Sequence, residues 1–288
     1  MAILVCSQSG LPSRKKKYQM EKTMTQSIQP QNNKNRKAIP YRMAFAGGWI
    51  DQPFVSMHNP QPPGSMVVVS LEPTIDFLDR CGMGTSTRNI ATQIWGDQLP
   101  DKDPTALMHE LYNRENEGKS APSGSQDMAG IIYPGISRLN YDYAYENGFF
   151  PVNIETNTDP EVAKWLEEVV YVVPVNQRPI GYDPLTEKNL RREWIQRLGQ
   201  SGKDCFDAIV KKDPAALGAS MNECMVCWQN ILPNTVQHPL IDVNLLEILS
   251  SYQKHSFGAM YSGCGGGYLY IISEHPIINS LKVKIRLT

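Results

Sequence analysis

Three glycine-bearing segments, in a fixed order along the chain, constrain its fold more than any other feature of the sequence. They are FAGGWID at residues 45–51, GMGTST at residues 82–87 and SGCGGGY at residues 262–268. Because glycine has no Cβ, the backbone N–H groups of such loops can approach a ligand closely, and a glycine loop that enters a helix binds anions. The three segments therefore predict a site for a phosphate-bearing ligand.

Size and charge narrow the class of ligand. A chain of 288 residues forms one large domain or two smaller ones, and we favour two lobes. The formal net charge of −1 provides no overall basic field, which disfavours a nucleic acid held mainly through its phosphates. A small-molecule ligand is the better expectation.

Membrane and metal signals are weak in this sequence. No apolar run is long enough to cross a bilayer, and the opening segment 2–5 is too short for the core of a signal peptide. We therefore expect a cytoplasmic protein with no membrane partner. Cys224 and Cys227 form a CxxC pair without a second pair to complete a zinc site. Since Met221, Met225 and Trp228 recur around them at helical spacing, both cysteines are predicted to be helix residues.

The order of the elements predicts an α+β fold. Residues 1–38 are polar and contain the basic run 14–17, which is typical of a solvated tail. Loops are expected at 53–64, which holds four prolines, and at 118–126. Strands are predicted over 41–46, 66–71, 169–175, 268–273 and 282–287. Helices are predicted over 89–95, 104–116, 186–199, 203–212, 214–231 and 240–254.

Taken singly, each glycine segment could be an ordinary turn, but their combination is specific. Together they resemble the motifs of the galactokinase, homoserine kinase, mevalonate kinase and phosphomevalonate kinase (GHMP) superfamily. The segment from Arg42 to Asp51 is similar to the first motif, GMGTST to the phosphate loop GLGSSS, and SGCGGG to the third motif SGAGGGG. GSQD at 124–127 resembles the GKQD segment of kinases that act on the anomeric hydroxyl. The resemblance covers residues 40–288, with all motifs in family order.

Within the superfamily, the motif sequences are most similar to those of the D-glycero-D-manno-heptose 7-phosphate kinases and L-fucokinases. ALGASMNE at 216–223 and PLID at 239–242 also resemble that branch. Beyond the tail over 1–38, the resemblance implies an abridged, ribosomal protein S5 domain 2-like, ATP-binding lobe over 39–150 and a ferredoxin-like lobe over 151–288. It further implies transfer of the ATP γ-phosphoryl group to the anomeric hydroxyl of a sugar or sugar phosphate.

The phosphate loop is the expected ATP site. A helix N-terminus presents free N–H groups and the positive end of the helix dipole to β- and γ-phosphates. The residues assigned to this role are Gly82, Gly84, Thr85, Ser86 and Thr87. Ser86 also offers a hydroxyl for Mg²⁺, and the resemblance implies Glu115 as the carboxylate partner. Glu110 and Glu117 compete for that role, and each of these acids could instead belong to a solvated helix face.

The acceptor site is expected around Asp127. We predict that Asp127 is the general base that takes the proton of the sugar hydroxyl and that Arg42 stabilises the transferring charge. A lone Asp at this place would ordinarily be a helix N-cap. Asp51 is expected to bind sugar hydroxyls, although it could simply cap the turn before Pro53. The remaining predicted substrate contacts are Gly47, Gly48, Gly265, Gly266 and Arg178, and a surface position for Arg178 stays open.

Two departures from the family pattern keep a second hypothesis open. Thirty residues separate Asp51 from Gly82, where the family has a longer stretch that builds part of the adenine pocket. Trp49 and Ile50 also replace a small pair beside the sugar, and Trp49 could stack on a sugar face. The chain could thus be a compact sugar 1-kinase or a relative that binds a sugar, a nucleotide or a protein partner without turnover. A dinucleotide-dependent oxidoreductase is disfavoured because no loop has GxGxxG spacing.

Overall fold

Two antiparallel sheets organise the computed structural model, which describes residues 38–288. The first sheet has the order β1-β2-β3-β4 and the second has the order β5-β7-β6. The strands are β1 (Tyr41–Ala44), β2 (Gly64–Leu71), β3 (Ile136–Tyr141), β4 (Asn153–Asn157), β5 (Val170–Pro174), β6 (Gly258–Gly263) and β7 (Gly266–Ile272). The helices are α1 (Pro53–Ser56), α2 (Thr85–Trp95), α3 (Pro104–Asn116), α4 (Gln126–Ile132), α5 (Pro160–Val169), α6 (Arg192–Val210), α7 (Pro214–Ile231) and α8 (Leu245–Gln253).

The α+β fold class predicted from the sequence is confirmed. Helix α3 and helix α7 have the predicted bounds, and both cysteines of the CxxC pair are buried in α7. Except for Ala38, the predicted tail lies outside the described residues, and the lobe boundary at 150 remains a prediction. None of the helices in residues 38–288 is both long and apolar enough to cross a bilayer. The cytoplasmic location also remains a prediction.

Strand β2 lies at the centre of the first sheet. All eight of its residues are buried, which explains the uninterrupted apolar run from Met66 to Val69. Helices α4 and α6 both pack against β2. Gly202 of α6 lies so close to β2 that a Cβ would overlap the carbonyl oxygen of Ser65. The core between sheet and helices thus depends on a glycine at the crossing point.

The close packing of α6 on β2 explains why one helix prediction is wrong. The sequence predicted two helices, over 186–199 and 203–212. The structure has a single helix, α6, from Arg192 to Val210. Glycine in a helix usually weakens it, but here Gly199 and Gly202 let the helix pack directly on β2, and this burial offsets the loss of helix propensity.

The predicted strand over 282–287 is wrong. Within this segment and just before it, only isolated bridges form, from Ile285 to Leu71 of the first sheet and from Leu281 to Val172 of the second. Arg286 donates further hydrogen bonds to the carbonyl oxygens of residues 131 and 132. The segment is extended because it links both sheets, and it pairs with neither over enough length to form a strand.

Candidate active site

An ion pair between Arg42 and Asp127 lies at the centre of the candidate site. Arg42 is a buried residue of β1, and Asp127 occupies the first turn of α4. The Nε atom of Arg42 donates to Oδ1 of Asp127 at 2.6 Å, and its Nη2 atom pairs with the same oxygen. Its Nη1 atom donates to the carbonyl oxygen of Gly82 at 2.9 Å. One guanidinium therefore joins the first motif, the phosphate loop and the GSQD segment.

The charge of this pair is stabilised internally. Burial alone would lower the pKa of Arg42, but the charge and hydrogen bond of Asp127, together with the charges of Tyr270 and Asp51, outweigh burial and raise that pKa above its ordinary value. The second carboxylate oxygen of Asp127 also has a partner, because the Thr87 hydroxyl donates to Oδ2 at 3.3 Å. Asp127 is thereby held in one orientation by two elements.

The phosphate loop leads directly into helix α2. Gly84 precedes the helix in the left-handed conformation, with φ of 69°, and no side chain of the described residues caps the first turn. The N–H groups of that turn and the positive end of the helix dipole therefore remain available to an anion. Thr87 is fully buried beside Asp127, whereas Ser86 is exposed.

Glu115 of α3 fits a role in holding a divalent cation. Its Oε2 atom is buried without a hydrogen-bond partner in residues 38–288, while Oε1 accepts from the Ser123 hydroxyl at 3.3 Å. Burial and then the charge of Asp127 raise its pKa above the ordinary value. An orphaned carboxylate oxygen near a helix N-terminus is a suitable ligand for Mg²⁺, which usually takes its other ligands from phosphates and water. No cluster of three or more His, Cys, Asp or Glu residues suited to a metal occurs in the described part of the chain.

A cavity of about 550 Å³ opens beside the Arg42–Asp127 pair. Of the residues predicted to contact substrate or donor, those that line the cavity are Arg42, Gly48, Gly82, Asp127 and Arg178. Aromatic side chains form much of the remaining wall, from Trp49, Phe54, Phe149 and Trp228. Trp228 Nε1 donates to the carbonyl oxygen of Gly48 at 3.1 Å, so helix α7 fixes the first glycine motif against the cavity.

The wall of the cavity is positively charged. Among the described residues that line it, Asp127 is the only acidic one and is paired with Arg42. Lys119, which also pairs with Glu115, and Arg178 and Lys188 add three cations. Within residues 38–288, no carboxylate lies within ion-pair distance of Arg178 or Lys188. Arg178 is half-buried, and its Nε and Nη1 atoms are oriented by the carbonyl oxygen of Arg80 and the sulfur of Cys264. The cavity therefore suits a ligand that carries negative charge.

Other predicted substrate residues do not reach the cavity wall. Asp51 is 1% exposed and lies behind it, against the backbone of Gly124. The backbone N–H of Gly47 donates to the sulfur of Cys224 at 3.3 Å, in the interior. Gly265 and Gly266 pack against Arg178 and Asn176. From the third motif it is Ser262, Gly263 and Cys264 that line the cavity.

Several wall residues had no signal in the sequence. Phe149, Lys188 and Trp228 come from three different parts of the chain and belong to no motif. Lys188 reaches the cavity because its ammonium group lies 4.7 Å from the centre of the Phe54 ring. Other wall residues, such as Gln126, Ser262 and Cys264, lie within motifs, and their positions there could have identified them.

Comparison with known proteins supports the fold. No family model matches the chain, and no curated protein matches its sequence. Among solved structures, the chain is similar to a galactose-bound galactokinase of Lactococcus lactis, with a TM-score of 0.57 at 11% identity over 82% of this chain and 84% of that one. It is also similar to the mevalonate kinase of Methanococcus jannaschii, with a TM-score of 0.52 at 14% identity over 81% and 88%.

A third similar structure is a D-glycero-D-manno-heptose 1-phosphate kinase of Bacteroides thetaiotaomicron, with a TM-score of 0.51 at 10% identity over 86% of this chain and 95% of that one. These three proteins have the GHMP-kinase fold expected from the motifs, and this chain has it too. At such identities the likeness establishes the fold alone.

Proposed function

We propose that this chain is an ATP-dependent kinase that phosphorylates the anomeric hydroxyl of a sugar or sugar phosphate. One observation carries the proposal, which is the position of Asp127. One of its oxygens pairs with Arg42 at the cavity, and the other accepts from Thr87 at the start of helix α2. A carboxylate between an acceptor-sized cavity and an anion-binding helix end is suited to phosphoryl transfer.

The donor phosphates would lie at the N-terminal turn of α2, where Gly82, Gly84, Thr85, Ser86 and Thr87 present backbone N–H and hydroxyl groups. Asp127 would take the proton of the acceptor hydroxyl while the oxygen of that hydroxyl forms a bond to the γ-phosphorus. The bond from that phosphorus to the β–γ bridging oxygen breaks, and ADP leaves with the electron pair. Arg42, fixed between Gly82 and Asp127, would stabilise the charge on the phosphoryl group during transfer.

Ser86 and Glu115 are the residues that would hold Mg²⁺ together with the donor phosphates. The exposed hydroxyl of Ser86 and the unpartnered Oε2 atom of Glu115 both leave a coordination position open. When bound, the ion would neutralise charge on the β- and γ-phosphates.

The cavity favours a phosphorylated acceptor over a neutral one. Aromatic side chains such as Trp49 and Trp228 suit the apolar face of a sugar ring. Arg178 and Lys188, which have no carboxylate partner in residues 38–288, suit a phosphate distant from the reacting hydroxyl. A heptose 7-phosphate satisfies both features, whereas a fucose-like sugar leaves the two cations without a partner.

A binding protein without turnover remains the second candidate, because of the short connection between β2 and α2. This connection is bound to the segment that follows β5. Arg80 donates to the carbonyl oxygen of Pro179, and Gln177 donates to that of Asp79, each at 2.8 Å. A short connection that is held in this way provides fewer residues to line a pocket for a nucleotide base than a long connection does.

Nucleotide titration and acceptor screening distinguish the two candidates. We expect Mg-ATP to bind in a calorimetric titration, and we expect ADP release with at least one member of a panel of hexoses, 6-deoxyhexoses and heptose 7-phosphate. Binding of a sugar phosphate without ADP release would favour the second candidate. If neither Mg-ATP nor Mg-GTP binds at millimolar concentration, the kinase proposal is wrong.

The substitution Arg178→Met should raise KM for a phosphorylated acceptor by about tenfold or more, since a hydrogen bond to a charged group contributes about 1.5–3 kcal/mol. The KM for a neutral sugar should change little. Steady-state kinetics with a matched pair of phosphorylated and neutral acceptors measure the difference. Arg192→Met, at an exposed position of α6, is the control. An equal rise of KM for both acceptors would contradict a role for Arg178 in phosphate binding.

A further inference from the structure

Asp51 is the most unusual ionisable group in the described residues. It is 1% exposed, and neither carboxyl oxygen has a hydrogen-bond partner in that part of the chain. A buried carboxylate is normally stabilised by hydrogen bonds or by an adjacent cation, because transfer of an unpaired charge out of water is costly. A carboxyl group in this environment is far more stable when it carries a proton.

The surroundings of Asp51 explain why it is enclosed. A Cβ on Gly124 would overlap its carboxyl group, so the turn that leads to Asp127 lies directly on it. The next residue, Ser125, is fully buried, and its hydroxyl lies 3.0 Å from the hydroxyl of Tyr141 on β3. Asp51 therefore forms part of the support beneath the predicted general base, and it is separated from the cavity by that turn.

Asp51 interacts electrostatically with three ionisable groups on the elements around it. They are Arg42 of β1, Asp127 of α4 and Tyr141 of β3. Burial, followed by the negative charge of Asp127, raises the pKa of Asp51 to about 7. The nearby backbone N–H groups of residues 51 and 49, which do not reach hydrogen-bond geometry, and the Arg42 guanidinium offset only part of this rise. Burial, followed by the charge of Asp51, raises the pKa of Tyr141 well above its ordinary value, so Tyr141 stays neutral.

We propose that Asp51 is a positioning residue that is protonated in the resting protein. Because it is neutral, it does not compete for Arg42, which can then pair with Asp127 and stabilise the transferring phosphoryl group. The inference rests on the proposed kinase function and differs from the sugar-binding role expected from the sequence. Two carboxylates that face one guanidinium cannot both be neutralised by it, so one of them holds a proton. Asp127 makes the direct ion pair, and Asp51 is the partner that keeps the proton.

The proposal implies that deprotonation of Asp51 weakens the binding of ATP. When Asp51 loses its proton, a second negative charge acts on Arg42 and Asp127. That charge repels the phosphates of ATP and draws the guanidinium away from its role in transfer. The acceptor should be affected less, because Asp51 does not line the cavity.

The test compares the wild-type protein with Asp51→Asn, an isosteric change that keeps the group neutral at every pH. Between about pH 6 and about pH 8, kcat/KM for ATP should fall about three- to tenfold more in the wild type than in the variant. Asp101→Asn, an exposed control, should keep the wild-type profile. Parallel profiles in all three proteins, with a KM for the acceptor that is raised at every pH in Asp51→Asn, would overturn the proposal in favour of a sugar ligand.

A second measurement does not depend on turnover. Infrared spectra of the wild-type full chain with ¹³C-labelled aspartate carboxyl groups should show the carbonyl stretch of a protonated acid at about pH 6. The band should be absent in Asp51→Asn, and in Asp127→Asn it should be lost at a lower pH than in the wild type, because the negative charge of Asp127 no longer raises the pKa of Asp51. A band that is absent from the wild type would overturn the inference. A band that titrates as expected in a protein without kinase activity would instead contradict the proposed function alone.

Discussion

Asp127→Asn should abolish turnover while leaving Mg-ATP bound. The amide has nearly the shape of the carboxylate but cannot accept a proton from the acceptor hydroxyl, and loss of a general base typically lowers kcat by about 10²- to 10⁴-fold. Nucleotide affinity should persist, because the donor is expected to bind at the first turn of α2 and near Glu115. A coupled assay of ADP release gives kcat, and calorimetry with Mg-ATP gives Kd.

The control for this experiment is Asp101→Asn, which makes the same chemical change at an exposed position. It should retain the wild-type kcat. A near wild-type rate in Asp127→Asn would remove Asp127 from the base role. A loss of ATP binding in step with the loss of rate would mean that the ion pair with Arg42 holds the phosphate loop in place and that Asp127 is structural.

The centre of the site could be predicted from the sequence because it is built from motifs. Arg42 and Asp127 are 85 residues apart, and Arg42 and Gly82 are 40 apart, yet one guanidinium contacts both partners. No local pattern of hydrophobicity indicates such a convergence. The motif order does, because each motif resembles a segment with a known place in one fold. The fold class followed from the same order of strands and helices.

The wall of the cavity could not be predicted in this way. Lys188 and Trp228 reach it through contacts with Phe54 and Gly48, which lie far away in the sequence. Such contacts depend on how the sheets and helices pack and leave no periodic signal along the chain. The same applies to Asp51, whose residue type predicts a polar contact but whose burial is set by the turn at Gly124. The sequence predicted that Asp51 binds sugar hydroxyls, whereas the structure buries it behind the cavity wall.

The most direct consequence of the buried carboxyl at position 51 is a pH-dependent stability. Its pKa is about 7 in the folded chain, against about 4 for an aspartate in an unfolded one. Because the folded state binds the proton more tightly, the stabilisation is complete below about pH 4 and is lost as the pH rises through about 7. A difference of about three pKa units corresponds to a loss of about 4 kcal/mol over that window.

We therefore expect the free energy of unfolding of Asp51→Asn, measured relative to that of the wild type, to increase as the pH rises. Of the full change, about 2 to 3 kcal/mol should fall between about pH 5 and about pH 8. Urea unfolding of both proteins at several pH values measures the difference, in which the titrations of all other groups cancel. Asp101→Asn should follow the wild type throughout. If the curves of Asp51→Asn and the wild type remain parallel, Asp51 is ionised in the folded state, and a cation or a ligand outside the described contacts must stabilise its charge.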